Sequence, residues 1–263
     1  MRELQGSNRE DARRRQAWCR KWKASSAAVS GIASLALVSF VSCTPAGDPS
    51  GEPDEGETTE LPSILLVTLD TTRADAVGFE SDHVETPALE ALAARGARFT
   101  QAYATAPLTL PSHVSMHTGL YPRDHGMHEN SRVFARDEAL LAPRLRERGY
   151  RTAAFVSALP LARQFGLHAG FERYDDAFGS ANERRAADTT DLALELLRET
   201  GSAPTFLWVH YFDPHDPYDP PEPFRSRYAG NPYLGEIAYM DSQLGRLVAA
   251  FETQAGDRPW RIL

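Results

Sequence analysis

From residue 62 onward, short apolar runs alternate along the chain with segments in which apolar residues recur at helical spacing. The short runs are typical of strands buried on both faces of a parallel sheet. The other segments have the one-sided pattern of amphipathic helices. Strands are predicted at 63–70, 98–104, 150–157, 204–212 and 260–263. Helices are predicted from Pro87 to Gly96, from Pro111, and at 139–148, 188–199 and 233–253.

This alternation predicts an α/β fold in which helices cover both faces of a mostly parallel central sheet. In such sheets, ligands bind in the crevice beyond the carboxyl ends of the strands. Three predicted strands are followed by loops with reactive or metal-binding side chains, at 70–73, 106–113 and 213–221. We therefore expect these loops to share one edge of the sheet.

Two of these loops offer a candidate metal ligand and a candidate nucleophile. Asp70 ends the first strand, where its carboxylate suits a hard divalent cation, although it could simply cap the next turn. Thr109 lies just before Pro111, at the predicted start of a helix whose positive end favours anions. A metal-activated hydroxyl there could act as a nucleophile, or it could merely cap the helix.

The third loop contains a histidine between two prolines. His215 is flanked by Asp213 and Asp216, and a rigid proline-rich loop holds side chains at fixed angles. Asp213 and His215 could bind a metal, or His215 could protonate a leaving oxygen, or the loop could have no chemical role. His210 lies inside the strand and is interpreted as a packed histidine.

Charge is distributed unevenly along the chain. The net charge is −8 over 263 residues, yet residues 1–23 carry +5, so the remainder carries about −13. An acidic body argues against nucleic acid as a partner. An anionic substrate would need a local cation, such as a metal ion.

The first 61 residues have the composition of an export segment and a linker. Residues 13–23 are basic, 24–42 are uncharged, and Cys43 follows. This order predicts a secretory signal, and the residues before Cys43 favour a lipoprotein anchored in a lipid bilayer and facing the periplasm or cell exterior. A cleaved soluble form and an uncleaved anchor stay open. Residues 44–61 predict a flexible acidic linker.

Together these residues resemble the sulfatase family of the alkaline phosphatase superfamily. The resemblance covers 62–263 and includes PSILLVTLDTTRAD, TLPSHVSMHTGLYPRDHGMHEN and TFLWVHYFDPHDPYDPP. It implies an alkaline-phosphatase-like three-layer α/β/α domain that hydrolyses sulfate or phosphate esters. It also implies a divalent metal, Ca²⁺ if sulfatase-like and Zn²⁺ or Mn²⁺ if phosphoesterase-like.

The resemblance assigns roles to individual positions. Asp70 matches the first metal-binding aspartate, and Thr109 matches the nucleophile, which also contacts the metal. Asn130 and His215 match residues that contact the anionic group of the substrate. His113 stands where the motif has arginine, and we expect it to take part in catalysis.

Several positions depart from the sulfatase pattern. Threonine carries a methyl group on its β-carbon, so Thr109 cannot be oxidised to formylglycine, and none is expected. Thr71 replaces a second aspartate, and 157–160 lacks the lysine and histidine that sulfatases have there. Relatives carry a further metal pair near the point where this chain stops. We therefore expect the chain to be truncated at its C-terminus, without a complete metal site.

Three functions are compatible with this pattern. A threonine nucleophile slightly favours a phosphoester hydrolase, or a phosphoryl transferase of the phosphoglycerol type, over a sulfate-ester hydrolase. The overall resemblance favours the sulfate-ester hydrolase. The departures leave a catalytically degenerate envelope binding protein as a further alternative.

Overall fold

A computed structural model of the chain describes residues 60–136, 139–179, 182–201 and 203–263. The predicted signal at 1–43, and all but the last two residues of the predicted linker, lie outside the described residues. Within these ranges, no helix is both long enough and apolar enough to cross a bilayer.

The described residues form one five-stranded sheet in which all neighbouring strands are parallel. The strand order is β3-β2-β4-β1-β5. This arrangement confirms the predicted parallel sheet. The strands are β1 (Ser63–Leu69), β2 (Arg151–Phe155), β3 (Arg173–Asp175), β4 (Thr205–Tyr211) and β5 (Trp260–Ile262).

Helices cover both faces of this sheet. Helices α1, α5 and α7 pack on one face around Leu207 and Val209, and α2 and α4 pack on the other face around Phe206 and Trp208. The result is the expected three-layer domain. The helices are α1 (Pro87–Arg95), α2 (Thr109–Thr118), α3 (Pro122–His125), α4 (Leu141–Glu147), α5 (Ala186–Glu199), α6 (Phe224–Arg227) and α7 (Pro232–Ala255).

The central strand β4 shows how the sequence sets the two faces. Successive side chains of a strand point to opposite faces, so Phe206 and Trp208 enter one apolar layer while Leu207 and Val209 enter the other. All of these side chains are fully buried. By the same alternation, His210 lies on the face of Trp208, which is also the face of α2.

A buried aspartate of α7 fixes the start of α1. Pro87 has no N–H, and the next two backbone N–H groups, of Ala88 and Leu89, each donate a hydrogen bond of 2.9 Å to the carboxylate of Asp241. Asp241 is only 1% exposed. The carboxylate satisfies donors that a helix start otherwise leaves unpaired and complements its positive end.

The structure differs from the sequence prediction in several local features. Residues 98–104 form no strand, because both neighbours of β1 in the described sheet are other strands, and Phe99 and Tyr103 are 82% and 84% exposed. Helix α2 begins at Thr109 rather than Pro111, since proline is tolerated throughout the first turn of a helix. The three-residue strand β3 was not predicted, because it is too short for a periodic signal.

Replacing Phe206 by alanine is expected to lower the free energy of unfolding by about 3–5 kcal/mol, because it opens a cavity in the layer between β4 and α2. The matched variant Phe99→Ala should change it by less than about 0.5 kcal/mol, since that side chain is exposed. Urea denaturation measures both. Similar losses in the two variants would contradict the placement of 98–104 outside the sheet.

Candidate active site

A cleft of about 620 Å³ opens beyond the carboxyl end of β1, beside the first turn of α2. Its lining includes five of the residues that the sequence singled out, namely Asp70, Thr109, His113, Asn130 and His215. The loops from three distant parts of the chain therefore meet at one edge of the sheet, as parallel topology requires.

Asp70 is the centre of the hydrogen bonding in this cleft. Its Oδ2 accepts a hydrogen bond from the Thr109 hydroxyl at 3.0 Å and faces Nε2 of His210 at 3.2 Å. Burial by itself would raise the pKa of Asp70, but the hydrogen bonds from His210 and Thr109 outweigh it and hold the pKa below its usual value. Asp70 is therefore a carboxylate anion poised next to a hydroxyl.

His210 is more than the packed histidine that the sequence suggested. The backbone N–H of Ser157 donates to Nδ1 of its ring at 3.3 Å, so the ring proton lies on Nε2 and points at Asp70. The side chain is fully buried. The strand register pairs His210 with Thr68. The period of two along β4 could have indicated the face of His210, but its pairing with Thr68 could not be derived from the sequence, because the period does not give the register between strands.

Asn130 connects the cleft to the start of α2. Its Oδ1 accepts a hydrogen bond of 2.9 Å from the backbone N–H of Leu110. The amide nitrogen of Asn130 is then the part of the side chain that can donate to an anion in the cleft. Because Pro111 lacks an N–H and the N–H of Leu110 is paired with Asn130, these two positions of the first helical turn offer no free backbone donor to the cleft.

His113 lies beneath the nucleophile position instead of facing the cleft opening. Its Nδ1–H donates to the carbonyl of Thr109 at 2.7 Å, and the Thr68 hydroxyl, at 3.0 Å, donates to Nε2. Trp208 Nε1 in turn donates to the Thr68 hydroxyl oxygen at 3.1 Å. Burial lowers the pKa of His113 to about 3, so the ring is neutral, unlike the arginine of the sulfatase motif.

His215 lies on the exposed loop after β4. Its ring stacks on Phe212 with the centroids 4.2 Å apart, and Nδ1 donates to the carbonyl of Asp216 at 2.8 Å. These two contacts fix the orientation of the ring, so that Nε2 is the ring nitrogen that can exchange a proton with a ligand.

Asp213 is not brought together with the other predicted metal ligands. It lines a different cavity, and its Oδ1 accepts a hydrogen bond of 3.0 Å from the backbone N–H of Ala186 at the start of α5. The role that the structure shows for Asp213 is therefore to cap α5.

The loop after Asp70 has a strained backbone. Thr71 has a φ of 48°, which is rare for a β-branched residue. Its hydroxyl donates to the carbonyl of Pro214 at 2.6 Å, and its carbonyl accepts from the hydroxyl of Tyr233 at 2.9 Å. These contacts hold the loop in a costly conformation next to the cleft, as often occurs at functional sites.

Comparison with known proteins identifies the family. The family model for sulfatases matches residues 62–263. The chain belongs to the sulfatase family. Its structural neighbours include proteins of the alkaline phosphatase superfamily, in agreement with the three-layer fold.

Several curated sulfatases are similar in sequence to part of this chain. An ulvan-active sulfatase of Formosa agariphila is 31% identical over 126 residues, which are 48% of this chain and 25% of that protein. An arylsulfatase of Clostridium perfringens is 24% identical over 244 residues, covering 70% of this chain and 50% of that protein. The chain thus spans between a quarter and a half of the length of these relatives.

Solved structures share the fold of this chain. The structure of Ps i-CgsB in complex with k-i-k-neocarrahexaose has a TM-score of 0.65 and 20% identity, covering 76% of this chain and 57% of the other. The phosphonate monoester hydrolase of Agrobacterium radiobacter has a TM-score of 0.61 and 20% identity, covering 77% of this chain and 61% of the other.

The sulfatase family uses a divalent metal, and the cleft supplies part of a ligand set for one. The ionised carboxylate of Asp70 and the hydroxyl of Thr109 are hard oxygen ligands that lie 3.0 Å apart. Among the described residues, no group of three or more histidine, cysteine or acidic side chains is placed to hold a metal ion. The chemistry of Asp70 and Thr109 therefore fits a metal, with further ligands required.

Helix α2 carries a second buried histidine, and it makes stability depend on pH. His117 is 3% exposed, packs 4.3 Å from Trp208, and has a pKa that burial lowers to about 4. The unfolded chain binds a proton at this histidine near pH 6.5. Between these two pH values the unfolded state binds more protons, so acidification favours unfolding.

In the variant His117→Phe, the unfolding free energy should fall less steeply between pH 6.5 and 4 than in the wild type. The difference in slope should reach about 1.4 kcal/mol per pH unit at most, the value for one proton. Urea denaturation across this pH range measures it. His128→Phe, at an exposed histidine, is the control, and equal slopes in wild type and His117→Phe would disprove the proposed cause.

Proposed function

We propose that the protein is a metal-dependent hydrolase of anionic esters that uses Thr109 as its nucleophile, with phosphoesters preferred over sulfate esters. The observation that carries this proposal is the 3.0 Å hydrogen bond from the Thr109 hydroxyl to Asp70 at the wall of the cleft. A hydroxyl next to an ionised carboxylate can be deprotonated or held for attack.

In the proposed first step, the Thr109 oxygen attacks the phosphorus atom of the ester. The bond from phosphorus to the leaving oxygen breaks as the bond to Thr109 forms. The proton of the hydroxyl moves to Asp70, and His215, through Nε2, donates a proton to the leaving oxygen. Water then attacks the phosphorus atom, and the bond from phosphorus to Thr109 breaks. His215 takes up a proton of the water and Asp70 returns its proton to Thr109, which restores both residues and releases the phosphate product.

The polar side chains around the cleft would assist these steps. Asn130 donates through its amide nitrogen to the non-bridging oxygens of the ester. The buried His210 and His113 are positioning residues that hold Asp70 and the backbone of Thr109. A divalent cation bound by Asp70 and Thr109 would stabilise negative charge on the threonine oxygen and on the substrate.

The choice of phosphorus over sulfur depends on the nucleophile. A sulfated threonine is harder to release at sulfur, and Thr109 cannot provide the aldehyde that sulfatases use for this release. Sulfate-ester hydrolysis is the second candidate function, and the curated relatives, which are named as sulfatases, favour it. The two candidates share the cleft and differ in the central atom of the ester.

With Mn²⁺, Zn²⁺ or Ca²⁺ added, the full-length protein should hydrolyse bis(4-nitrophenyl) phosphate faster than 4-nitrophenyl sulfate. Thr109→Ala should lower kcat by about 10³-fold or more, because the covalent route is lost. Thr109→Ser keeps the hydroxyl and serves as the matched control. Steady-state release of 4-nitrophenol measures both.

Faster hydrolysis of the sulfate ester, abolished in Thr109→Ala, would replace the phosphoester proposal by the sulfate one. Full activity in Thr109→Ala would exclude Thr109 as the nucleophile. Absence of turnover of both esters with all three metals would favour a binding protein.

The variant Asn130→Asp tests the role of the amide donor. A carboxylate can still accept the hydrogen bond from Leu110, so the start of α2 is retained, but it repels an anionic ester. We expect kcat/KM to fall by about 10²-fold, in line with the loss of one donor to developing charge. Unchanged kcat/KM, in a variant whose melting temperature equals that of the wild type, would place Asn130 outside the substrate site.

A further inference from the structure

A second cavity, of about 860 Å³, lies on the other side of His215, at the ends of β3 and β4 and the starts of α5 and α7. Its lining contains six acidic residues but only two arginines. Phe212 and Tyr239 add aromatic surface to its wall. The cavity is therefore both acidic and able to contact an apolar group.

Two carboxylates of this lining are incompletely satisfied. Asp213 accepts from Ala186 N–H through Oδ1, and Glu236 accepts from the backbone N–H of Asp219 through Oε1 at 2.8 Å. The second oxygen of each group, Oδ2 of Asp213 and Oε2 of Glu236, is buried without a hydrogen-bond partner among the described residues. Glu236 is only 7% exposed. Buried polar atoms without partners are rare in folded proteins and require an explanation.

The two arginines of the lining donate hydrogen bonds to groups other than these two carboxylates. Arg184 donates to Asp175 at 2.6 Å and to the carbonyl of Val156 at 2.7 Å. Arg185 donates to Asp219 at 2.7 Å. Burial raises the pKa of Asp213 to about 6 and, with repulsion from Asp213, that of Glu236 to about 7, and the charge of Arg185 offsets this effect only in part.

The missing partner should be a cation that donates hydrogen bonds. A bare divalent ion such as Ca²⁺ takes about six to eight oxygen ligands, and no three-residue metal cluster occurs in the part of the chain that the structure describes. An organic ammonium group has several N–H donors, and two carboxylate oxygens suffice to pair with it. Its carbon skeleton could pack against the aromatic side chains.

We propose that this cavity is a binding site for the protonated amine of a small organic ligand, which the unpartnered oxygens of Asp213 and Glu236 would hold. The site is distinct from the reaction cleft and does not depend on the proposed reaction. Because His215 lines both cavities, a ligand in this site would lie next to a residue of the reaction cleft.

Isothermal titration calorimetry with the purified full chain tests the proposal, using cyclohexylammonium as the probe and cyclohexanol as its neutral counterpart of similar size. The amine should bind at least about tenfold more tightly than the alcohol, because a charge-assisted hydrogen bond is lost in the alcohol. Glu236→Gln and Asp213→Asn should each weaken binding of the amine by about tenfold or more.

Both substitutions keep the shape of the side chain. The amide oxygen can still accept the hydrogen bond from the backbone N–H that the carboxylate accepts in the wild type. Circular dichroism and the melting temperature establish that each variant is folded, and Glu172→Asn, at a distant ion pair, is the control. Equal affinity for the amine and the alcohol, or unchanged amine binding in both folded variants, would overturn the proposal. Binding of Ca²⁺ that is lost in Glu236→Gln, without binding of the amine, would replace it by a metal site.

Discussion

The arrangement of the cleft depends on one carboxylate, Asp70, held at the end of a buried parallel strand. Its Oδ2 accepts the Thr109 hydroxyl at 3.0 Å while His210 approaches the same oxygen from β4 at 3.2 Å. The register between β1 and β4 and the packing of α2 therefore bring both partners to Oδ2 of Asp70. Because both partners favour the charged form, Asp70 stays an anion despite its burial, and it can orient a hydroxyl and attract a cation.

Buried polar groups beneath the cleft make this arrangement rigid. A chain of hydrogen bonds runs from Trp208 through Thr68 and His113 to the carbonyl of Thr109. Each ring nitrogen has a defined role, since His113 donates to a carbonyl and receives from a hydroxyl. A charged arginine at this buried position would need a counter-ion, whereas a neutral histidine needs only these neutral partners. In this sulfatase-family chain, a neutral buried histidine thus supports the backbone of Thr109.

Much of the fold could be predicted from the sequence, because buried strands and amphipathic helices leave periodic patterns. The apolar runs of β1, β2 and β4 predict these strands, and parallel topology places Asp70 and Thr109 at one edge. The strand predicted at 98–104 is wrong, because the β-propensity of Phe99 and Tyr103 carries no information about whether the sheet has a free neighbour. The contact of His210 with Asp70 required the register between two strands that are distant in sequence.

The proposed reaction requires that Thr109 forms a covalent bond to the substrate with the help of Asp70. The most direct measurement is peptide mass spectrometry after acid quenching of the full-length protein during turnover of a phosphodiester with added metal. We expect Thr109 of the wild type to carry the phosphoryl group together with the remaining ester substituent of the diester, and Thr109 of Asp70→Asn to carry no such group. A phosphoryl group on another residue, or catalysis in Asp70→Asn with unchanged labelling of Thr109, would contradict the proposed reaction.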